Sequence, residues 1–446
     1  MALQDKNLEQ YIANFKLLED RLNGQKNGPV HDLRKVAFNH LLDTGFPTTR
    51  EEEWRFTDIK PLLSNNFTLV QPKSETKLTR ADIDHLLFKY WKGPQLVFVD
   101  GYYRHELSSP EIKQKGIVLN SLGNMMKIDE KALLDTFAGY EVFSENAFSA
   151  LNTAFINDGM VLKIEKNVVA DQPIHFLYIA TENEQAQFLN PRNLVHVAEN
   201  SQAEIVESHY GLTENQYFNN AVTEIRLEEN AYLKHIRVQN ESTSAFHMCS
   251  VFVDQKANSH YFSTSISFGG KITRNNIYTR LLGEGVETIL NGLYMGHGSQ
   301  HIDNNTYIDH VKPHCNSHEL YQGILTDKAH GVFGGKIMVH PEAQKTDAKQ
   351  SNNCLLLSDD AEINTKPQLE IYADDVRCTH GATIGQLDEE SIFYLQSRGI
   401  SEQRARNILT YAFAGQVVEG ITIDAVREHV DNIILNRLQE DMNFIK

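Results

Sequence analysis

The chain has 446 residues with 42 Lys+Arg against 59 Asp+Glu, a formal net charge of −17. That balance, with no run of Lys or Arg, excludes a protein that grips nucleic acid through its phosphates. Four cysteines without a CxxC pair exclude a disulfide framework and point to a reducing compartment, and no stretch approaches the 18 apolar residues of a membrane span.

The opening MALQDKNLEQ has neither a basic segment nor a continuous apolar stretch, so a cytoplasmic protein is expected. Leu8, Tyr11, Ile12, Phe15, Leu18 and Leu22 recur at helical steps and predict a first helix stopped at Asn23-Gly24. Leu33, Val36, Ala37, Leu41 and Leu42 predict a second, ending at Gly45-Phe46-Pro47, and Asp82 with Leu86 and Leu87 a short third. Residues 1–90 therefore read as a helical N-terminal domain and 91–159 as a mixed connecting region.

From about residue 160 the period shifts to two, as in Val161-Leu-Lys-Ile-Glu-Lys, Ile174-His-Phe-Leu-Tyr-Ile and Glu224-Ile-Arg-Leu-Glu. Polar turns such as Glu199-Asn200, Glu229-Asn230, Ala257-Asn258 and Glu284-Gly285 punctuate these strands. Strand starts at 203, 231, 259, 286, 331 and 361 suggest a repeat near 28 residues, broken once by a gap of 45. Phe268-Gly-Gly-Lys-Ile and Phe333-Gly-Gly-Lys-Ile look like a further echo. Short strands repeating at this spacing predict a β-helix over residues 160–380, a solenoid that needs caps at its ends. Periodicity does not fix strand pairing, so a large antiparallel sandwich is the alternative.

Residues 381–446 read as helical again. Asp388 is a candidate N-cap for a helix from Glu389 to Ser397, Gly399 suits its far end, and Ser401 can cap a following helix carrying Ile408, Leu409, Ala412 and Phe413. A last helix from about Asp424 places Val426, Val430, Ile433, Ile434, Leu438 and Met442 on one face. The acidic surplus falls between these ends: residues 1–90 carry 13 basic and 13 acidic side chains, and residues 381–446 carry 6 and 10. Solvated strand edges and turns in the middle account for it.

No GxxxxGK[ST], GxSxG or HExxH is present, so the chain lacks a nucleotide cradle, a nucleophile elbow and a zinc-protease helix. His297, His301, His310, His314, Cys315 and His318 have ligand-type side chains, but their spacing fits no tetrahedral zinc pattern and strand alternation divides them between two faces. Hydrogen-bonded surface histidines are the expectation there. Cys378-Thr379-His380 is sharper, since residues i and i+2 of a strand share a face and lie roughly 7 Å apart. A thiol and an imidazole so placed could belong to a metal or cluster ligand set, or simply end a strand.

The segment Cys378-Thr-His380-Gly-Ala-Thr-Ile-Gly385-Gln-Leu-Asp388-Glu-Glu-Ser-Ile-Phe393-Tyr394-Leu-Gln-Ser-Arg398-Gly399 closely resembles the C-terminal signature of the SufB/SufD family of the SUF iron–sulfur cluster assembly machinery. Ala343-Gln-Lys-Thr-Asp-Ala-Lys-Gln350, Leu355-Leu-Leu-Ser358, Thr365-Lys-Pro-Gln-Leu-Glu-Ile371 and Glu53-Trp54-Arg55-Phe56-Thr57 extend the likeness. Gly381 follows His380 where SufB-type members carry Glu, and Gly385-Gln386-Leu387 replaces their Ser-Lys-Ile run, so the likeness is to the SufD branch. Cys354 abuts Leu355, offset from the SufB cysteine that handles sulfur, so that role is not carried over to it.

The resemblance implies a mainly β protein, a right-handed parallel β-helix core flanked by helical N- and C-terminal domains. It implies a non-catalytic scaffold that pairs with SufB and docks the ATPase SufC through the C-terminal helices, with ATP hydrolysis in SufC. His380 and Cys378 then become candidate ligands for iron or a nascent iron–sulfur cluster at the SufB interface. A reduced flavin is associated with assembled complexes of this kind, and no residue here marks its site. Two other readings are a SufB-like scaffold acting as a homodimer and a β-helix carbohydrate lyase or esterase.

Overall fold

A computed structural model describes residues 2–22, 28–71, 77–109, 111–137 and 146–440. The expected helix stop at Asn23-Gly24 and the apolar Met442 lie outside the described residues. Alternation of inward and outward side chains is realised among the described residues as two sheets, one of 11 strands and one of 10, parallel except for one antiparallel pair at the N-terminal end of each. Consecutive strands from Met160–Ile164 to Arg377–Gly385 mostly fall in opposite sheets, and each pairs with strands one coil away in its own sheet, as Tyr232–Asn240 pairs with Gln202–Gly211 and His260–Ser267. The result is a β-solenoid of about eight turns with helices at both ends, not an antiparallel sandwich.

Turn chemistry explains the repeat. Asn167, Asn200, Asn230 and Asn258 adopt positive φ of 54–62°, a conformation Asn tolerates better than most residues, and Gly285 follows at 68°. These corners stack: the Asn230 amide donates to Asn200 Oδ1 at 2.9 Å, and Asn200 to Asn167 Oδ1 at 3.0 Å. The same corner continues through His314 and Lys345, at φ of 59° and 64°, and the His314 N–H donates to the Gln344 carbonyl. The apparent gap of 45 residues is therefore a change of corner: the turns before Gly331 and Ala361 lie on the opposite edge, where Asp327 has φ of 56°. The glycine-lysine echo is not a structural repeat either. Ile272 starts a strand and pairs with His301, whereas Phe333 lies inside a strand and pairs with Asn304.

The helices divide between the sheets. On the first sheet, the column Phe188, Phe218, Phe246, Ile272 packs outward against Tyr11, Phe15, Phe38, Phe46 and Trp54 of the N-terminal region. Pro29–Thr44 ends as expected, with Gly45 at φ 72° and its N–H bonded to the Leu41 carbonyl at 2.8 Å. The 3₁₀ turn Glu52–Trp54 clasps the first sheet: the Trp54 ring lies 3.7 Å from the Arg274 guanidinium carbon, and Arg274 pairs with Asp303, which also accepts from Thr57 Oγ1 at 2.5 Å. Trp54→Ala leaves a large cavity and uncovers the guanidinium, so a loss of about 3 kcal/mol in denaturant unfolding is expected. A change below about 1 kcal/mol would show that the clasp contributes little.

On the second sheet, Val417, Val418, Val426, Val430, Ile434 and Leu438 of the C-terminal helices pack on Val206, Ile236, Ile266, Leu293, Ile324 and Leu355. Asp388 caps Glu389–Ser397 through the Ser391 N–H at 2.8 Å, and Gly399 follows at φ 84°. Ser401 caps Glu402–Val418 as expected, but that helix buries Ala405, Thr410, Ala414, Val417 and Val418. Of its apolar positions, Leu409 and Phe413 are half-buried and Ile408 and Ala412 are exposed.

Candidate functional site at the open end of the solenoid

The two sheets end on Glu362–Ile371 and Arg377–Gly385, each hydrogen-bonded along one edge only among the described residues. Ile371, Tyr372 and Ile384 are exposed there, so a row of free backbone donors and acceptors runs beside apolar side chains. Cys378 and His380 both stand on this terminal strand. Cys378 pairs in register with Ala348 and His380 with Gln350, which puts them on one face of a regular strand, as the i, i+2 spacing predicts. Cys378 is half-buried against the solenoid core, and His380 is exposed. Burial pushes the Cys378 thiol pKa up, which favours the protonated thiol.

Sequence reasoning missed what lies directly behind His380. Gln350, 1% exposed, donates from Nε2 to Glu319 Oε2 at 2.5 Å. Burial pushes the Glu319 carboxyl up to about 7. The only signal in the sequence is alternation, since Glu319 and Gln350 occupy inward positions of their strands, where carboxyl and amide groups are not expected.

The other cysteines do not join this site. Cys354 pairs with Ile384, six residues along the strand from the Cys378 register and so roughly 20 Å away, and its thiol lies 3.2 Å from the Tyr294 hydroxyl. Cys315 is buried in a corner against the Gly283 carbonyl, and Cys249 sits 3.4 Å from an Arg237 nitrogen deep in the core.

The histidine-rich stretch is dispersed as expected. His301 meets His330 at 3.2 Å, His297 meets Arg437 at 3.1 Å, and His318 lies 3.9 Å from Asp347. His310 departs from the surface expectation: it is buried and bonded to Ser317 at 2.8 Å, and burial lowers its pKa to about 3. Among the described residues no group of three or more His, Cys, Asp and Glu side chains is arranged to hold a metal ion.

Two family models match in succession: the SufBD protein N-terminal region over residues 5–176, and the SufBD core domain of SUF system FeS cluster assembly over residues 178–413. The chain belongs to the SufBD family. An iron–sulfur cluster assembly SufBD family protein of Synechocystis sp. is 33% identical over 91% of this chain and 90% of its own length. The iron–sulfur cluster assembly protein SufD of Escherichia coli is 32% identical over 87% and 89%, and that of Bacillus subtilis 25% over 97% and 98%. Among the described residues no helix is long and apolar enough to cross a membrane.

Proposed function

We propose that this SufBD-family chain is the SufD-type scaffold subunit of a SUF machine, pairing with SufB through the open end of the solenoid and docking SufC on its C-terminal helices. The observation that carries the reading is the placement of Cys378 and His380 side by side on a terminal strand whose outer edge is unpaired. A partner strand laid on that edge would bring its own ligands to a two-ligand half site, with the nascent iron–sulfur cluster as cargo rather than resident cofactor. A neutral imidazole suits the task because it binds iron reversibly, whereas a second accessible thiolate would hold a soft cluster more tightly. The exposed Phe393, Tyr394, Ile408 and Leu435 give the C-terminal helices an apolar outer surface for SufC.

The test is co-expression of His380→Ala with SufB and SufC, followed by mass measurement and iron analysis. The ternary complex is expected to survive while bound iron and cluster yield fall by about tenfold or more, as on loss of a metal ligand or its partner. Normal cluster yield sinks the reading. A homodimer that assembles clusters without SufB would favour the SufB-like alternative.

A further inference from the structure

The Gln350 amide uses one end and leaves the other without a partner. Its Nε2 is bonded to Glu319, but its Oε1 is fully buried and has no hydrogen-bond partner among the described residues. A buried carbonyl-type oxygen left unpaired costs about 1–3 kcal/mol, so its retention calls for a partner. The fold makes room for this amide. Gly335, on the facing sheet, has no side chain, and a Cβ there would overlap the Gln350 Nε2 and crowd its Cδ.

The neighbour one strand further out in the same column is His380. The two residues are Cα partners across a parallel pair, and adjacent strands lie about 4.8 Å apart. Cys378 packs against the core, so side chains two residues on, at His380, stand on the same inward side. Among the described residues His380 is the donor side chain beyond Gln350 in that column, because Arg377–Gly385 is the last strand of its sheet.

We propose that Gln350 is a positioning residue for His380, its amide oxygen accepting the N–H of one ring nitrogen so that the other presents its lone pair outward to iron. Glu319 holds the amide in place by occupying its nitrogen end. Ligating histidines commonly give their second N–H to such an acceptor, which fixes the tautomer and the ring orientation. The assignment rests on the proposed role of His380 as an iron ligand, but the proposed contact lies within one chain and is tested there without iron or a partner.

The experiment uses the full isolated chain labelled with ¹⁵N-histidine, with His380 assigned by the signals lost in His380→Ala. In the unsubstituted protein one tautomer of His380 should exceed the other by about tenfold, the ratio that one net hydrogen bond sustains. Gln350→Met, similar in length and without the acceptor, should cut that ratio at least about threefold toward that of an exposed histidine, while Gln350→Glu should keep it. Gly335→Ala should reproduce the loss by displacing an intact Gln350 amide. Ferrous ion titration should then show an affinity about tenfold lower in Gln350→Met than in Gln350→Glu.

An unbiased tautomer ratio in the unsubstituted chain overturns the proposal, and that measurement remains decisive if a variant fails to fold. An unchanged ratio in Gln350→Met and Gly335→Ala overturns it as well. A biased tautomer together with normal cluster yield in His380→Ala would instead remove the proposed function and leave the Gln350 contact standing.

Discussion

Glu207→Ala is expected to destabilise the protein by about 3–5 kcal/mol, the cost of breaking a buried ionic network by removing one member. Glu207 is fully buried and its carboxylate accepts from His209 Nε2 at 2.8 Å, His235 Nε2 at 3.1 Å and Thr223 Oγ1 at 3.2 Å, with the Asn193 amide at 3.4 Å. Burial alone would raise its pKa, but the hydrogen bonds and charges of His209 and His235 hold it well below the usual carboxylate range. These partners come from strands on both sheets and on successive coils, so the substitution orphans several buried polar groups at once. Denaturant unfolding of Glu207→Ala and Glu207→Gln checks the prediction. A loss below about 1 kcal/mol for the alanine variant would mean that the network is relaxed by water.

Acidification from pH 6.5 to 4.5 is expected to remove about 5 kcal/mol of stability before most carboxylates titrate. His175 and His310 are buried neutral, and burial, reinforced at His175 by His429 and Arg80, lowers each folded-state pKa to about 3 against 6.5 unfolded. Their contribution is fully present above pH 6.5 and is lost as pH falls toward 3, at about 1.4 kcal/mol per pH unit for each residue. Glu241 adds to the loss further down, since the charge of His247 and their 2.6 Å contact overcome burial and hold it at about 2, below its unfolded value of 4.5. His247 has the opposite sign. Burial would lower it, but the Glu241 charge raises it to about 9, so its contribution is present below pH 6.5 and lost as pH rises through 9. A thermal midpoint that peaks near neutrality checks the argument, and His175→Gln should make the slope between pH 6.5 and 4.5 shallower. A midpoint flat across that interval would contradict it.

The sharpest signals in the sequence were local ones. Asp388 and Ser401 announce helix starts because their side chains satisfy N–H groups within three residues, and Asn200, Asn230 and Asn258 mark corners because few residues tolerate positive φ. His314 and Lys345 occupy the same corner without either advantage, held by coils on both sides, so the repeat appeared to break where it continues. The apolar positions Ile408 and Ala412 are exposed because Glu402–Val418 is apolar on more than one side, and the second sheet decides which side is covered.

By itself the sequence determined a repeating mainly β body between helical ends, and it singled out Cys378 and His380 by their i, i+2 spacing and family signature. Only the tertiary structure decided what stands inside. Strand alternation separates two faces but does not say which is interior when helices bury the outer face as well, and so Glu207, His235, Glu319 and Gln350 read as ordinary solvated residues until the coils were stacked. Stacking also placed His380 in register with Gln350, whose buried amide oxygen has no partner among the described residues, a relation between coils 30 residues apart in the chain that no local pattern encodes.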